Sequence, residues 1–202
     1  MQRSLVGSEM CIRDRKYTVS AKTYEFPTTQ TLTRYDKFTD GRIAGKKRCV
    51  ATFEFESGKV AWYDFDSEQY RSPIRKNTLK VQGVRGELID DCVYYLDENN
   101  EGQTGRIITD SHVINTGNSN PNFEKIREIK EISFNNKIIY EPEFGLCGLS
   151  EDETAIAVMM KNTAEYSRGN ASAPYSMEDA IADAYAAILL KKAVETGEMV
   201  HS

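Results

Sequence analysis

Two alternating apolar runs constrain the fold of this chain more than any other feature. They are RCVATFEFE at residues 48–56 and KVAWYDFD at residues 59–66, and Ser57 and Gly58 lie between them. Alternation with a period of two is typical of a half-buried strand, and a short connection containing glycine is typical of a tight turn. The sequence therefore predicts a β-hairpin at residues 48–66.

Several other segments also have the pattern of strands. YTVSAKTYEF at residues 17–26 alternates, and Pro27 is expected to end that strand, with a polar loop to residue 47. Further strands are predicted at TLKVQG (78–83), GELID (86–90), CVYYLD (92–97), GRIITD (105–110), REIKEISF (127–134) and KIIYE (137–141). Because short turns join most of these segments, we expect mainly antiparallel pairing.

The period changes to that of helices in the last quarter of the chain. Ser150 with Glu153 has the spacing of a capping box, and a second helix is predicted from Ser176 to Gly197. Strands first and helices last predict an α+β fold, with a large, mostly antiparallel open β-sheet and C-terminal helices packed on it.

Composition narrows the class of protein. The 202 residues, 40% of them hydrophobic, are enough for one domain with its own core, and a net charge of -5 argues against a nucleic-acid partner. No apolar run reaches the roughly 20 residues of a membrane span, which argues against a membrane partner. The four cysteines are far apart, which argues against a zinc site and a disulfide framework. We expect buried, reduced thiols and a cytoplasmic location.

The first fifteen residues, MQRSLVGSEMCIRDR, differ from the rest of the chain. They lack the ordered regions of a signal peptide and have no strand or helix pattern. They resemble a translated sequencing adapter, so residues 1–15 are expected to be a non-native tail and residues 16–202 the domain. In that case the gene would begin further upstream; the alternative is a frayed native terminus.

No motif for catalysis is found in the sequence. Neither G-x-G-x-x-G nor G-x-x-x-x-G-K-[ST] occurs, so no phosphate-binding loop is predicted. His201 is expected at a frayed C terminus, and His112 is interpreted as a surface or loop residue rather than a general base. We therefore predict no catalytic, cofactor-binding or metal-binding residue in this chain.

The segment QYRSPIRKNTLKVQG at residues 69–83 is the best candidate for binding a substrate. Pro73 interrupts strand pairing, so Tyr70, Arg71 and Arg75 are predicted to lie at a bend. Tyrosine offers an apolar ring with a hydroxyl, and arginine offers a planar set of donors for hydroxyl, carboxylate or phosphate groups. The alternative is that these side chains bind surface carbonyls or form a subunit contact.

Two long segments resemble the C-terminal domain of the glucose–fructose oxidoreductase, inositol dehydrogenase and MocA (Gfo/Idh/MocA) family. They are TFEFESGKVAWYDFDSEQYRSPIRKNTLKVQGVRGELIDD at residues 52–91 and YSMEDAIADAYAAILLKKAVETGEMV at residues 175–200. Within them, G-x-R-G-E begins at Gly83, and a helix of the pattern D-A-x-x-A-x-x-L-K-K-A-x-E-T-G ends at Gly197. The resemblance extends over residues 16–202.

This resemblance implies an NAD(P)-dependent oxidoreductase that acts on a sugar, polyol or related hydroxy compound. Family members also have a Rossmann domain, a catalytic lysine in Glu-Lys-Pro and an Asp/His helix, none of which is located in this sequence. The chain alone is therefore expected to be inactive and to bind no cofactor, whereas the intact parent would use NAD or NADP.

The resemblance also implies partners for the chain. These are a small-molecule substrate, the missing Rossmann domain and a homo-oligomer formed through the sheet, with Tyr70, Arg71 and Arg75 nearest the substrate. The main alternative is a stand-alone, non-catalytic binding or oligomerisation module that has lost its cofactor domain. A wholly unrelated α+β fold is the third possibility.

Overall fold

The structure, a computed structural model, describes residues 16–29, 43–66, 78–117 and 125–202. Ten strands and two helices lie in these ranges, which confirms the predicted α+β class. They are β1 (Tyr17–Thr29), β2 (Ile43–Phe55), β3 (Val60–Asp66), β4 (Lys80–Gly83), β5 (Gly86–Ile89), β6 (Cys92–Leu96), β7 (Gly102–Asn115), β8 (Lys125–Phe134), β9 (Lys137–Tyr140), α1 (Glu151–Ser167), α2 (Met177–Thr196) and β10 (Val200–His201).

The described strands form two antiparallel sheets. One has four strands in the order β10-β1-β2-β3, and the other has six in the order β4-β5-β6-β7-β8-β9. The sequence predicted one large sheet, because alternation shows that a segment is a strand without showing which strands pair. The chain also divides into two compact units, residues 1–77 with 175–202 and residues 78–174.

The predicted hairpin at residues 48–66 is confirmed. The Phe55 amide donates to the Lys59 carbonyl at 2.9 Å, and the Gly58 amide donates to the Phe55 carbonyl at 2.8 Å. Gly58 has a φ of 81°, a left-handed conformation that costs little only for glycine. Strand β2 starts at Ile43, however, which is earlier than the alternating run.

Strand β1 continues past Pro27, where the sequence analysis expected it to end. Pro27 pairs with Gly45 of β2, whereas β10 pairs with β1 at Thr18 and Val19. The other edge of β1 therefore has no described partner strand at Pro27. Proline is tolerated there because it has no backbone N–H, and on this edge no described neighbouring strand needs a donor from that position.

The core of the first unit lies between the four-stranded sheet and α2. The side chains at alternate positions of β1 and β2 point to one face, and the small buried side chains of α2 pack against them. The buried apolar residues are Tyr17, Val19, Ala51, Phe53, Phe55, Ala186, Leu189, Ala193 and Val200. The Tyr17 ring lies 6.1 Å from the Phe53 ring and 5.5 Å from the Phe55 ring, which fixes the N-terminal end of this core.

The C terminus is held in the sheet, so the expectation that His201 is frayed is wrong. His201 pairs with Thr18 in the register of β10 with β1. The Tyr17 amide donates to the Ser202 hydroxyl at 2.8 Å, and the Ser202 amide donates to the Tyr17 carbonyl at 2.9 Å. These bonds join the two ends of the described chain.

Both helices begin at the predicted caps. Ser150 and Glu153 form the reciprocal capping box of α1, and hydrogen bonds from Ser150 lower the pKa of the Glu153 carboxyl. Ser176 caps α2 by accepting from the Asp179 amide at 3.0 Å, and α2 ends at Gly197 with a φ of 69°.

Tight turns connect several strands of the second unit. Asn135 and Asn136, with φ values of 49° and 61°, join β8 to β9, as a hairpin turn with two left-handed residues requires. Strand β7 is longer than the predicted segment and pairs with both β6 and β8. No helix in the described ranges is long and apolar enough to cross a membrane.

Leu189→Ala is expected to destabilise the first unit by about 3 kcal/mol, because it leaves a cavity between α2 and the sheet. Leu189 is buried, whereas the Met199 side chain is exposed. Met199→Ala is therefore the control and is expected to change the free energy of unfolding by less than about 0.5 kcal/mol. Urea denaturation followed by circular dichroism measures both values, and equal losses would contradict the proposed core.

Candidate functional site

The residues predicted to bind substrate, Tyr70, Arg71 and Arg75, lie outside the described residues. The described chain ends at Asp66 of β3 and resumes at Thr78 before β4. Their position at a bend remains a prediction.

A buried carboxylate forms a second candidate site, in the six-stranded sheet. Glu128 on β8 is 3% exposed and lies directly opposite His112 on β7. Its Oε1 accepts hydrogen bonds from the Cys147 amide at 2.7 Å and the Gly148 amide at 2.6 Å. Its Oε2 lies 3.3 Å from His112 Nε2. We call Glu128, His112 and the two loop amides the Glu128 cluster.

The loop that supplies these amides has two glycines in left-handed conformations. Gly145 has a φ of 62° and Gly148 a φ of 78°. These positions allow consecutive N–H groups to point at one oxygen, an arrangement that is typical of backbone anion sites. Since the loop leads into α1 through Ser150, Glu128 attaches the start of that helix to β8.

From the sequence, His112 is interpreted as a surface or loop residue, and the structure places it in a strand rather than a loop, with its side chain 36% exposed. It lies within β7, partly buried, and its Nδ1 is buried with no hydrogen-bond partner among the described residues. Nε2 lies 3.3 Å from Glu128 Oε2. The Glu128 cluster therefore positions the loop.

Glu128 is not recognisable as a site residue from the sequence, because REIKEISF has charged residues at several positions of an alternating strand and nothing distinguishes this one. Only the pairing of β8 with β7 and the position of a loop about 20 residues later in the chain show that it is buried. The expectation of buried thiols is wrong for Cys147, whose side chain is exposed, whereas Cys49 and Cys92 are half-buried. No group of three or more histidine, cysteine or acidic residues in the described ranges is arranged to hold a metal ion.

One face of the six-stranded sheet carries apolar side chains on every strand from β4 to β8, together with the polar side chains of Gln103, Thr109, Ser111 and Arg127. The register from β4 to β8 places on it alternate residues of each strand, and we call the apolar members of this set the apolar sheet face. Its members are Val81, Leu88, Val93, Tyr95, Ile107, Val113, Ile129, Ile132 and Phe134. Val113 is 64% exposed and Val81 46% exposed, and the Tyr95 and Phe134 rings lie 5.9 Å apart.

The opposite face of this sheet carries ion pairs. Lys80 Nζ lies 2.9 Å from Glu87 Oε2, and Lys130 Nζ lies 3.6 Å from Asp110 Oδ2. The Lys80 ammonium lowers the pKa of the Glu87 carboxyl. Antiparallel sheets commonly have one solvated face and one face packed on apolar groups. The loop that carries Cys147 and Gly148 covers part of this charged face at Glu128, whereas the apolar sheet face is suited to contact with protein.

Comparison with known proteins found no relative: no family model, no curated protein and no solved structure matches the chain.

Glu128→Gln is expected to destabilise the second unit by about 2 kcal/mol, because it removes the charge that the two loop amides and His112 stabilise. The amides of Cys147 and Gly148 should also exchange with solvent faster. Hydrogen–deuterium exchange and urea denaturation measure the two effects.

Glu131→Gln is the matched control for this prediction. Glu131 lies on the same strand but faces the like charge of Asp110, so its neutralisation is expected to be close to neutral for stability. Unchanged exchange at residues 147 and 148 in Glu128→Gln would contradict the role of the carboxylate.

Proposed function

We propose that this chain is the substrate-side and oligomerisation domain of an NAD(P)-dependent oxidoreductase of the Gfo/Idh/MocA type, acting on a sugar, polyol or related hydroxy compound. In this proposal the sheets bind the substrate and form the contacts between subunits. A Rossmann domain of the intact parent protein binds NAD or NADP. The chain by itself transfers no hydride.

The single observation that carries the proposal is the contrast between the two faces of the six-stranded sheet. Ion pairs such as Lys80 with Glu87 lie on one face, whereas the other carries valine, isoleucine and aromatic side chains on five strands, with Arg127 opposite Val113. Interfaces between stable subunits are enriched in such apolar and aromatic groups and depleted of charged ones. An exposed apolar surface of several strands supports a role in association.

Two further points support the assignment to this type of oxidoreductase. The α+β class and the antiparallel pairing agree with what the resemblance implies, although the described strands form two sheets and not one, and the final helix ends at Gly197 as its sequence pattern predicts. The roles of Tyr70, Arg71 and Arg75 in substrate binding are part of the proposal. They rest on the donors these side chains offer.

Val113→Glu is expected to reduce self-association, because it places a carboxylate at an exposed position of the apolar sheet face, opposite Arg127. Analytical ultracentrifugation of the full chain should show a smaller species than the unsubstituted protein. Ile108→Glu is the matched control, since Ile108 is 57% exposed on the same strand but on the opposite face. Equal masses for all three proteins would contradict association through this face.

Nucleotide and polyol titrations test the oxidoreductase assignment. NADH fluorescence is expected to stay unchanged on addition of the chain, whereas calorimetry with sugars and polyols should show binding that Arg71→Ala and Arg75→Ala weaken. The genomic locus should encode a βαβ unit with G-x-G-x-x-G just upstream of residue 16. Saturable binding of NADH by the chain would contradict the proposal, and so would a promoter and a stop codon just upstream of residue 16. A promoter and stop codon at that position, together with polyol binding by the chain, would instead support the stand-alone module.

A further inference from the structure

Helix α2 is apolar on two opposite sides. Ala186, Leu189 and Ala193 are buried against the four-stranded sheet. On the other side, a row of apolar side chains is exposed over the first three turns of the helix. We call this row the outer stripe, and its members are Met177, Ile181, Ala184, Tyr185 and Ile188.

The outer stripe departs from the pattern of a helix at a protein surface. Such a helix normally turns polar residues to solvent and apolar residues to the core. In α2 the exposed fractions are 74% for Met177, 60% for Ile181 and 61% for Ile188. The spacing of Met177, Ile181, Ala184 and Ile188 is four, three and four residues, the spacing with which two helices pack along a common seam.

Charged side chains flank the outer stripe at both ends, and the C-terminal end carries both signs, since Lys191 Nζ lies 3.6 Å from Glu195 Oε1 of the same helix. Glu178 lies beside the outer stripe at the N-terminal end, and Lys191 and Lys192 follow it at the C-terminal end. When two copies of α2 lie antiparallel with their centres at Ala184 and Tyr185, Ile181 of one copy meets Ile188 of the other. Glu178 of each copy then lies beside Lys192 of its partner, so these two charges are complementary, whereas parallel helices would place like charges together.

The small side chain of Ala184 lies near the centre of this arrangement. A small residue allows two helices to approach closely at the point where they cross, while the larger isoleucines pack on either side. A helix of 20 residues is about 30 Å long. This length includes Ile181, Ile188 and the charged residues at both ends, so all of these contacts can form between two copies of α2.

We propose that the outer stripe binds the same helix of a second copy of this chain, antiparallel and about a twofold axis. This contact is separate from the apolar sheet face and goes beyond the proposed function. A twofold contact uses the same surface on both subunits. This symmetry brings the acidic end of the outer stripe on one copy to the lysine end on the other. With both surfaces active, the chain forms an assembly larger than a dimer.

Ile188→Glu in the Val113→Glu background tests the proposal. Val113→Glu alone is expected to leave a dimer held by the outer stripe, and the double substitution should give a monomer by sedimentation equilibrium. Met160→Glu is the control in place of Ile188→Glu, because Met160 is 68% exposed on α1 and is expected to leave the dimer intact. Circular dichroism confirms that each variant is folded.

A charge exchange gives the decisive measurement in the same background. Glu178→Lys and Lys192→Glu are each expected to raise the dimer dissociation constant roughly two- to tenfold, since two exposed pairs are lost in each dimer. The combination of both substitutions should return the constant to its starting value. The combined variant carries both substitutions, so any effect that each has on the stability of its own helix is still present. Recovery of the dimer dissociation constant would therefore report the pairing of residues 178 and 192 between copies.

The outcomes separate this proposal from the proposed function. A mass that falls with Val113→Glu but not with Ile188→Glu overturns the outer stripe as a self-association surface and leaves the apolar sheet face supported. A dimer that depends on Ile188 and not on Val113 supports the outer stripe and counts against association through the sheet. Failure of the combined charge exchange to restore the dimer overturns the antiparallel arrangement.

Discussion

The register of the antiparallel strands is the constraint on which the rest of this structure depends. In a strand, neighbouring residues point to opposite faces, so a slip of one residue would move every apolar side chain to the other side. The pairing of Val19 with Phe53 places both side chains against α2. In the six-stranded sheet, the pairing of His112 with Glu128 brings a carboxylate under a loop that follows much later in the chain.

Glu128 shows how a buried charge can set the position of a loop. Removing a carboxylate from water is costly unless hydrogen bonds replace its hydration. Here the bonds come from two consecutive amides, with the His112 imidazole 3.3 Å away, and the glycines on either side of Cys147 give the loop the conformation that it needs. The result is a defined start for α1, which has no buried residue of its own to fix it.

The two units expose apolar groups in different ways. In the second unit apolar side chains lie on one sheet face across five strands, whereas in the first unit a line of exposed apolar groups runs along α2. A surface of several strands is suited to a broad contact between subunits, and a line of residues with charges at its ends is suited to a helix. Both are consistent with a chain whose surfaces mainly serve association, which is the role we propose for it.

The sequence by itself determined where most of the strands lie, where the helices begin, where α2 ends, and the α+β class. These are local properties: the alternation of residues 48–66, the capping box of Ser150 and Glu153, and the left-handed glycine at position 197 each act over a few residues. Only the tertiary structure decided that the strands form two sheets, that β1 passes Pro27 and that His201 pairs with Thr18. The same holds for the burial of Glu128, because pairing and burial depend on contacts between residues far apart in the chain, which no local pattern specifies.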